Sequence, residues 1–330
     1  MSVNIKELAK IIGVSISTIS KALNDKSDIS EELKVKIRNA AIEYSYSPNP
    51  IAKRLVAKKT NTLGVFILNR DNIPLKHYFE FQFLDGIIRE ANLYNNDILI
   101  FTNTNDLSYK KSYIDECKER KLDGAIFLGL REDDPFFENI QTSYIPVCAV
   151  DTEIYGENVS FVSSDNKGGI IKALEYLWEL GHRDIFFISG CQNAFVSNER
   201  LYGYKSFMES KTLFNKEYIF EGNYSFESGI RAGEQLLNKK ITAVVSSSDM
   251  MALGMMQYLK KNNIRIPDDI SIIGFDDIIS CEHSEPSLTT IAQNVVTMGR
   301  KSVDIVLNGN KSPILVETEL IIRNSCKKIN

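Results

Sequence analysis

Ile5–Asn24 reads IKELAKIIGVSISTISKALN, and this run decides how the chain begins. Ile5, Leu8, Ala9 and Ile12 recur at helical spacing, so a short first helix has one apolar face. Gly13-Val14 breaks it, because glycine tolerates the backbone angles of a tight turn. Ser15 is an N-cap for a second helix, Ile16–Leu23, which turns Ile19, Ala22 and Leu23 inward. Left outside are Ile16, Ser17, Thr18, Ser20 and Lys21, a small, polar, basic face. Helix, glycine turn and small-residue helix make a helix-turn-helix pattern whose second helix reads DNA.

The following residues continue the scheme. Ser30 with Glu31 and Glu32 opens a third helix, since the hydroxyl caps and the acids suit the positive end of the helix dipole. Leu33, Ile37, Ala40, Ala41 and Tyr44 supply its buried stripe. Asn49-Pro50 then pairs an N-cap with a proline at the first helical position, announcing a short fourth helix, Ile51–Ala57, with Lys53, Arg54 and an exposed Leu55. IKELAKIIGVSISTISKALN followed by SEELKVKIRNAAIEYSYSPNPIAKRL resembles the headpiece of the LacI/GalR family of bacterial transcription regulators. The Val-Ser-x-x-Thr-Ile-Ser run, the Asn closing the reader helix, the Tyr-x-Pro-Asn entry and the Ala-Lys-Arg-Leu hinge occur in the family's order.

Charge is distributed as such a protein requires. The chain has 330 residues and a net charge of −4. Through Lys58, ten Lys and Arg stand against six Asp and Glu, giving a headpiece of +4 and a remainder of −8. A basic reader on an acidic body fits a DNA-binding module with a separate sensor. The five cysteines (Cys117, Cys148, Cys191, Cys281, Cys326) are scattered and unpaired in pattern, as reduced thiols of a cytoplasmic protein are. No apolar signal core or membrane-length window is present, so a cytoplasmic location and no membrane partner are expected. His77, His182 and His283 are isolated in sequence and form no metal-ligand pattern. With no nucleophile elbow, phosphate loop or dinucleotide fingerprint, no catalytic residue, cofactor or metal is expected.

Beyond the polar joint Lys58–Thr62, short apolar runs alternate with helical segments. Leu63–Leu68, Ile98–Phe101, Gly124–Leu128, Pro146–Val150, Asp184–Ser189, Ala243–Ser246 and Ser271–Phe275 read as strands. Gln82–Asn95, Asn166–Leu180, Leu201–Ser210, Ser228–Asn238 and Met250–Asn262 read as helices. That alternation predicts parallel sheets covered on both faces, and its length predicts two subdomains. YLWELGHRDIFFISG, ERLYGYKSFM, SSSDMMALGMMQYLKKNNIRIPDDISIIGFDD and EPSLTTIAQNVVTMGRKSVDIVL resemble the same family's effector domain, which is similar to periplasmic sugar-binding proteins. The resemblance implies an α/β fold: a small all-α helix-turn-helix headpiece followed by two doubly wound lobes around a ligand cleft. It divides the chain into a reader at 1–48, a hinge and linker at 49–60, a first lobe at 61–162 and 292–320, and a second at 163–291 and 321–330. The chain would cross between lobes near Ser163, Ile291 and Leu320.

Ligands of open α/β sheets sit beyond the carboxyl ends of the strands. Asp151, Ser248, Asp249 and Asp276 follow strands here, Tyr224 follows the YIFEG run, and Arg200 opens a helix after the ISG strand. A sugar needs paired donors and acceptors for vicinal hydroxyls and a flat wall for its C–H face. The resemblance implies that Arg200 and Asp276 hold the effector and that Tyr224 stacks on it. On the residues alone, a structural ion pair is the commoner reading of Arg200–Asp276, Asp249 is equally a helix cap, and Tyr78 and Phe79 either close the cleft or fill the core. Ser248 stands where many members carry Asn, and NRDNIPLKHYFEFQ replaces a shorter loop after the first strand.

The resemblance also implies the DNA-facing set: Ser15, Ile16, Ser17, Thr18, Ser20, Lys21 and Asn24 on the reader, and Ala52, Lys53 and Leu55 on the hinge. Ile16 suits a thymine methyl and Ser17 a base edge, while Thr18, Ser20 and Asn24 suit phosphates. Lys21 stands where most members carry Arg. Leu55 would wedge between base steps in the minor groove, beside its copy from a second protomer. The expected partners are therefore a palindromic double-stranded operator, further copies of the chain in a homodimer or a tetramer, and a small-molecule effector that is a sugar or sugar derivative. The function implied is a ligand-responsive repressor of carbohydrate-utilisation genes. An activator, or a regulator with a purine-type co-repressor, would use the same parts.

Overall fold

The computed structural model describes residues 3–46, 59–68, 78–103, 111–192, 194–237 and 239–329. It separates into two compact units, Met1–Thr60 and Asn61–Asn330.

In the first unit, α1 (Ile5–Ile12), α2 (Ile16–Leu23) and α3 (Glu31–Glu43) close around Leu8, Ala9, Ile19, Ala22, Ile37 and Ala41. Asn4 caps α1 in a reciprocal box, its side chain accepting from Glu7 N while Glu7 Oε2 accepts from Asn4 N at 2.9 Å. Gly13 ends α1 at φ +78°, where a Cβ would meet no neighbour, so the backbone angle alone calls for glycine. Ser15 and Ser30 cap the next two helices. The fourth helix expected at Ile51–Ala57, with Ala52, Lys53 and Leu55, lies outside the described residues.

The second unit holds two six-stranded sheets. In chain order its elements begin with β1 (Thr62–Leu68), α4 (Tyr78–Leu93), β2 (Asp97–Asn103), α5 (Tyr113–Arg120), β3 (Gly124–Leu128), α6 (Phe137–Gln141), β4 (Val147–Val150) and β5 (Val159–Ser164). Then come α7 (Asn166–Glu179), β6 (Ile185–Ser189), α8 (Phe195–Ser210), β7 (Ile219–Glu221), α9 (Phe226–Leu236), β8 (Ala243–Ser246), α10 (Asp249–Lys261), β9 (Ser271–Asp276), α11 (Ile279–His283) and β10 (Thr289–Gln293). Last are α12 (Val295–Asn308), β11 (Ile314–Val316) and β12 (Thr318–Ile321). The first lobe's sheet runs β11-β5-β4-β3-β1-β2 and the second lobe's runs β12-β10-β9-β8-β6-β7. All pairings are parallel except β10 with β12. β1, β3, β4 and β5 are buried along their whole length, as sheets covered on both faces require.

The three crossings sit slightly away from the expected boundaries. β5 stays in the first sheet to Ser164, β10 stays in the second to Gln293, and the third crossing is at Glu317 between β11 and β12. Residues 163–164 therefore belong to the first lobe, and 292–293 and 318–320 to the second. The shift at Glu317 has a simple cause. ILV-E-TELI reads as one extended run, and only pairing shows that its halves serve different sheets.

Helix α12 packs on α4 in the first lobe, so residues far along the chain complete that core: Val295, Met298, Val303, Ile305, Val306 and Val316 pack with Leu63, Phe83, Ile87 and Ile126. The two helices cross at Gly86 and Gly299. A Cβ on Gly299 would lie 2.3 Å from the Phe83 carbonyl oxygen, and one on Gly86 would lie 2.2 Å from that of Val296. Neither backbone can retreat without opening the core between them. Gly299→Leu should destabilise the chain by at least the ~1–3 kcal/mol of core overpacking, read as a lower midpoint in urea with circular dichroism.

Candidate functional site: an inter-lobe cleft and a reader helix

Arg200 lies in α8 with its side chain almost wholly buried. Its Nε donates to Asn166 Oδ1 at 2.7 Å, and its Nη1 donates to the Ser247 carbonyl at 2.6 Å. The same Nη1 is 3.6 Å from Asp276 Oδ1, and the guanidinium carbon lies 3.8 Å from the Phe275 ring centroid. Asp276 ends β9 and also accepts from Gln293 Nε2 at 2.7 Å. One guanidinium thus ties α8 to the start of α7, the end of β9 and the loop after β8. A buried cation is tolerable only with such partners.

Across from this group, the first lobe contributes Asp151, just past β4. Ser163 Oγ donates to Asp151 Oδ1 at 2.6 Å, and Asn166 Nδ2 in turn donates to Ser163 Oγ at 3.1 Å. Burial pushes the Asp151 carboxyl above its ordinary range, and the nearby positive charge of Arg200 pulls it back. Asp276 is likewise raised by burial and lowered by Arg200, with the Asp151 charge adding to the rise. The charge of Asp151 thus reaches Asp276 across the lobes. Asp151 also lines a cavity of about 230 Å³ with Leu128–Glu132, Val150, Thr152 and Ala194–Val196. This is below the ~300–1,000 Å³ of drug-sized ligand sites and suits a small ligand.

Backbone strain marks the same region. Asp151 (φ +55°), Tyr224 (φ +65°), Asp276 (φ +120°) and Asp277 (φ +56°) all occupy conformations unfavourable to L-residues, and each lies just beyond or at a strand end. Such strain costs about 1–3 kcal/mol per residue and collects at functional sites. Tyr224 Oη is 2.6 Å from Ser197 Oγ, and its ring covers Gly190, where a Cβ would come within 2.2 Å of Cζ.

The other expected ligand contacts are placed differently. Ser248 was expected at the ligand, but its hydroxyl caps α10 by accepting from Met251 N. Asp249 is fully buried, accepting from Thr290 Oγ1 at 2.6 Å and from Ile278 N at 3.0 Å. Its carboxylate binds the β8, β9 and β10 ends together, and burial, then the Asp276 charge, push its carboxyl upward. Of the aromatic pair, Phe79 packs on the first lobe's core; Tyr78 opens α4, and its side chain lies outside the described residues. The residue pattern did not single out Asn166, Ser163 or Gln293 as contacts. All three stand at lobe crossings, which strand pairing and not local sequence reveals.

On the headpiece, Ser15, Ile16, Ser17, Ser20, Lys21 and Asn24 are exposed and Thr18 is half-buried. Ile16 is 43% exposed, so it does not serve as packing for α1. Ser15 Oγ accepts from Thr18 N and shares hydrogen bonds with the Ser17 and Thr18 hydroxyls. Asn24 Nδ2 donates to the Ser20 carbonyl at 2.7 Å, and Lys21 pairs with Asp28. Lys34 and Arg38 of α3 both pair with Asp25 just past the reader helix.

Two family models match the chain. Residues 4–49 match "Bacterial regulatory proteins, lacI family", and residues 174–326 match "Periplasmic binding protein-like domain". Sequence similarity extends over nearly all of it: 30% identity to the HTH-type transcriptional repressor PurR of Vibrio parahaemolyticus serotype O3:K6 (strain RIMD 2210633), with 99% of each chain covered. The chain belongs to the LacI family. It is also 33% identical to the probable HTH-type transcriptional repressor ExuR of Bacillus subtilis (strain 168), again over 99% of each. A solved transcriptional regulator CelR–cellobiose complex superposes with a TM-score of 0.73 at 26% identity, over 97% of this chain and 99% of that one. The helix-turn-helix reader and the paired α/β lobes are accordingly those of a LacI-family transcription regulator. Among the described residues, no helix is long and apolar enough to cross a membrane, and no group of three or more His, Cys, Asp or Glu could hold a metal.

The two halves of the site generate separate expectations. Lys21→Arg should raise discrimination for guanine at the contacted base pair by ~1–3 kcal/mol, because a guanidinium grips O6 and N7 together; competition binding with single-base operator variants reads it. Arg200→Ala should abolish the response to effector while operator affinity without effector stays within about threefold, read by calorimetry and gel shift.

Proposed function

We propose that this protein is a repressor of carbohydrate-utilisation genes that binds a palindromic operator as a dimer and releases it when a sugar-type effector occupies the cleft. The observation that carries the sensing half is the Arg200–Asp276 pair of the second lobe, set against Asp151 of the first. Such a group offers fixed donors and acceptors to vicinal hydroxyls, and Tyr224 offers a flat face. A ligand bridging both lobes binds their closed arrangement better than their open one, and that difference is what drives a switch.

DNA output would run through the hinge at Ile51–Ala57. A helix of this length is marginal alone, since isolated helices below ~12–15 residues are poorly stable in water. Two hinges side by side on DNA would support each other, and separating them would melt both. Leu55 would be the wedge, and the dimer's two-fold symmetry would be matched by the operator's.

The test has two arms. A thermal-shift screen of sugars and purines on the full chain should show stabilisation by a sugar, because a ligand bound only by the folded state raises its apparent stability; the hit should then lower operator affinity. Stabilisation by purines alone would reject the sugar reading, and a hit that strengthens operator binding would reverse the sign of the switch. Leu55→Ala should weaken operator binding by tenfold or more and reduce bending, with effector affinity unchanged. Unaltered operator binding by this variant would remove the wedge from the mechanism.

A further inference from the structure

On α2, Ser17, Ser20, Lys21 and Asn24 share one face at spacings of three and four residues. Lys21 is the one cation of that helix and stands in its last turn. The turn that follows carries two carboxylates with opposite assignments. Asp25 faces α3, where Lys34 and Arg38 pair with it at 3.3 and 2.8 Å. Asp28 reaches back to the reader, and its Oδ2 accepts from Lys21 Nζ. That hydrogen bond holds the Asp28 carboxyl below its ordinary range. The fold has little use for this second pair. Both side chains are half exposed, where an ion pair contributes little to stability, and Asp25 already ties the turn to α3. Across Ser15–Ser30, Lys21 and Lys26 are balanced by Asp25 and Asp28, so the reading surface is neutral although the residues through Lys58 carry an excess of Lys and Arg.

We propose that Asp28 is a positioning residue for base reading: by fixing Lys21 it turns a swinging point charge into a directed donor for a guanine edge and keeps that charge off phosphates. The inference rests on α2 meeting DNA through this face. An untethered lysine ammonium on its flexible stem binds any acceptor within reach, and on DNA the phosphates are the most abundant and the most negative. An ammonium has three protons to give. With one given to Asp28, the other two point in restricted directions, and guanine O6 and N7 are a matching pair of acceptors. A phosphate approached by the pair meets Asp28 as well as Lys21, so repulsion by one offsets attraction by the other. A guanine edge carries no net charge and meets no such opposition.

The experiment uses the full chain and an operator duplex selected with it from random sequences. Fluorescence anisotropy then gives affinities for the selected duplex, its single-base variants and an unselected duplex over a series of KCl concentrations. Lys21→Ala identifies the base pair that Lys21 reads, as the position where discrimination is lost. At that pair Asp28→Asn should lower discrimination by about fivefold or more, the low end of what a good bidentate contact supplies. The same variant should bind the unselected duplex about threefold or more tighter, and its slope of log affinity against log salt should steepen by about 0.9, the mark of one more phosphate neutralised. Asp25→Asn removes an equal charge three residues away and should leave discrimination at the Lys21 base pair unchanged. An equal loss in that variant, with both folded by circular dichroism, would make net charge the cause and overturn the assignment of Asp28. Discrimination that is kept or raised in Asp28→Asn, while Lys21→Ala abolishes it, would overturn the proposal and leave Lys21 as a base contact. If Lys21→Ala changed discrimination at no base pair, the reading on which the proposal rests would fall with it.

Discussion

A positive charge held in the interior of the second lobe organises the sensor. The Arg200 guanidinium rests against Phe275 and is anchored by Asn166, Ser247 and Asp276, groups carried by three different segments. Taken out of water, a guanidinium must be surrounded by fixed acceptors, and each acceptor is then itself held in place. The strained backbone at Asp276 makes sense in this setting: its carboxylate is turned toward the guanidinium and Gln293 at a conformational cost that these contacts offset.

The neighbouring Asp249 shows how a similar carboxylate takes a different role. It sits at the first position of α10, accepts hydrogen bonds from Thr290 Oγ1 and Ile278 N, and joins β10 to the segments that follow β8 and β9. Its place in the sequence, at a strand end before a helix, is indistinguishable from that of a ligand contact. What separates the two aspartates is burial: none of Asp249 is exposed, whereas about a quarter of the Asp276 side chain is.

Much of the architecture was legible in the residue pattern because its signals are local. Caps at Ser15 and Ser30, the glycine turn at Gly13 and the unbroken apolar runs at β1, β3, β8 and β9 each depend on a few neighbouring residues. Short edge elements escaped. β7, β11 and β12 are three or four residues long and only partly buried, so neither length nor alternation distinguishes them from loop. Helix α12 has a regular apolar stripe, but only its cap Asn294 separates it from β10, so no turn residues set VVTMGRKSVDIVL off from the run before it. Within the site, Asp276 and Asp151 could be nominated from strand ends and Arg200 from the family resemblance, but Asn166 and Gln293 could not. Their roles exist only because the chain passes between lobes at those points, and a pairing between distant crossings leaves no mark in local sequence.

The interleaved connectivity also governs the order in which a growing chain can become a working molecule. The three-helix reader has its core within Val3–Tyr46, so all of its packing partners leave the ribosome together. The first lobe is a different case: α12 and β11, which complete its core and its sheet edge, are separated from β5 by the stretch of the second lobe from α7 to β10. The second lobe waits too. Buried Ser325 bonds to Ile272 and Thr289, and His182 is tied to the carbonyl of Lys327. During synthesis at ~5–20 residues per second, the DNA reader is therefore complete for some seconds before either half of its sensor, and a chain cut before residue 295 loses not the end of one lobe but part of both.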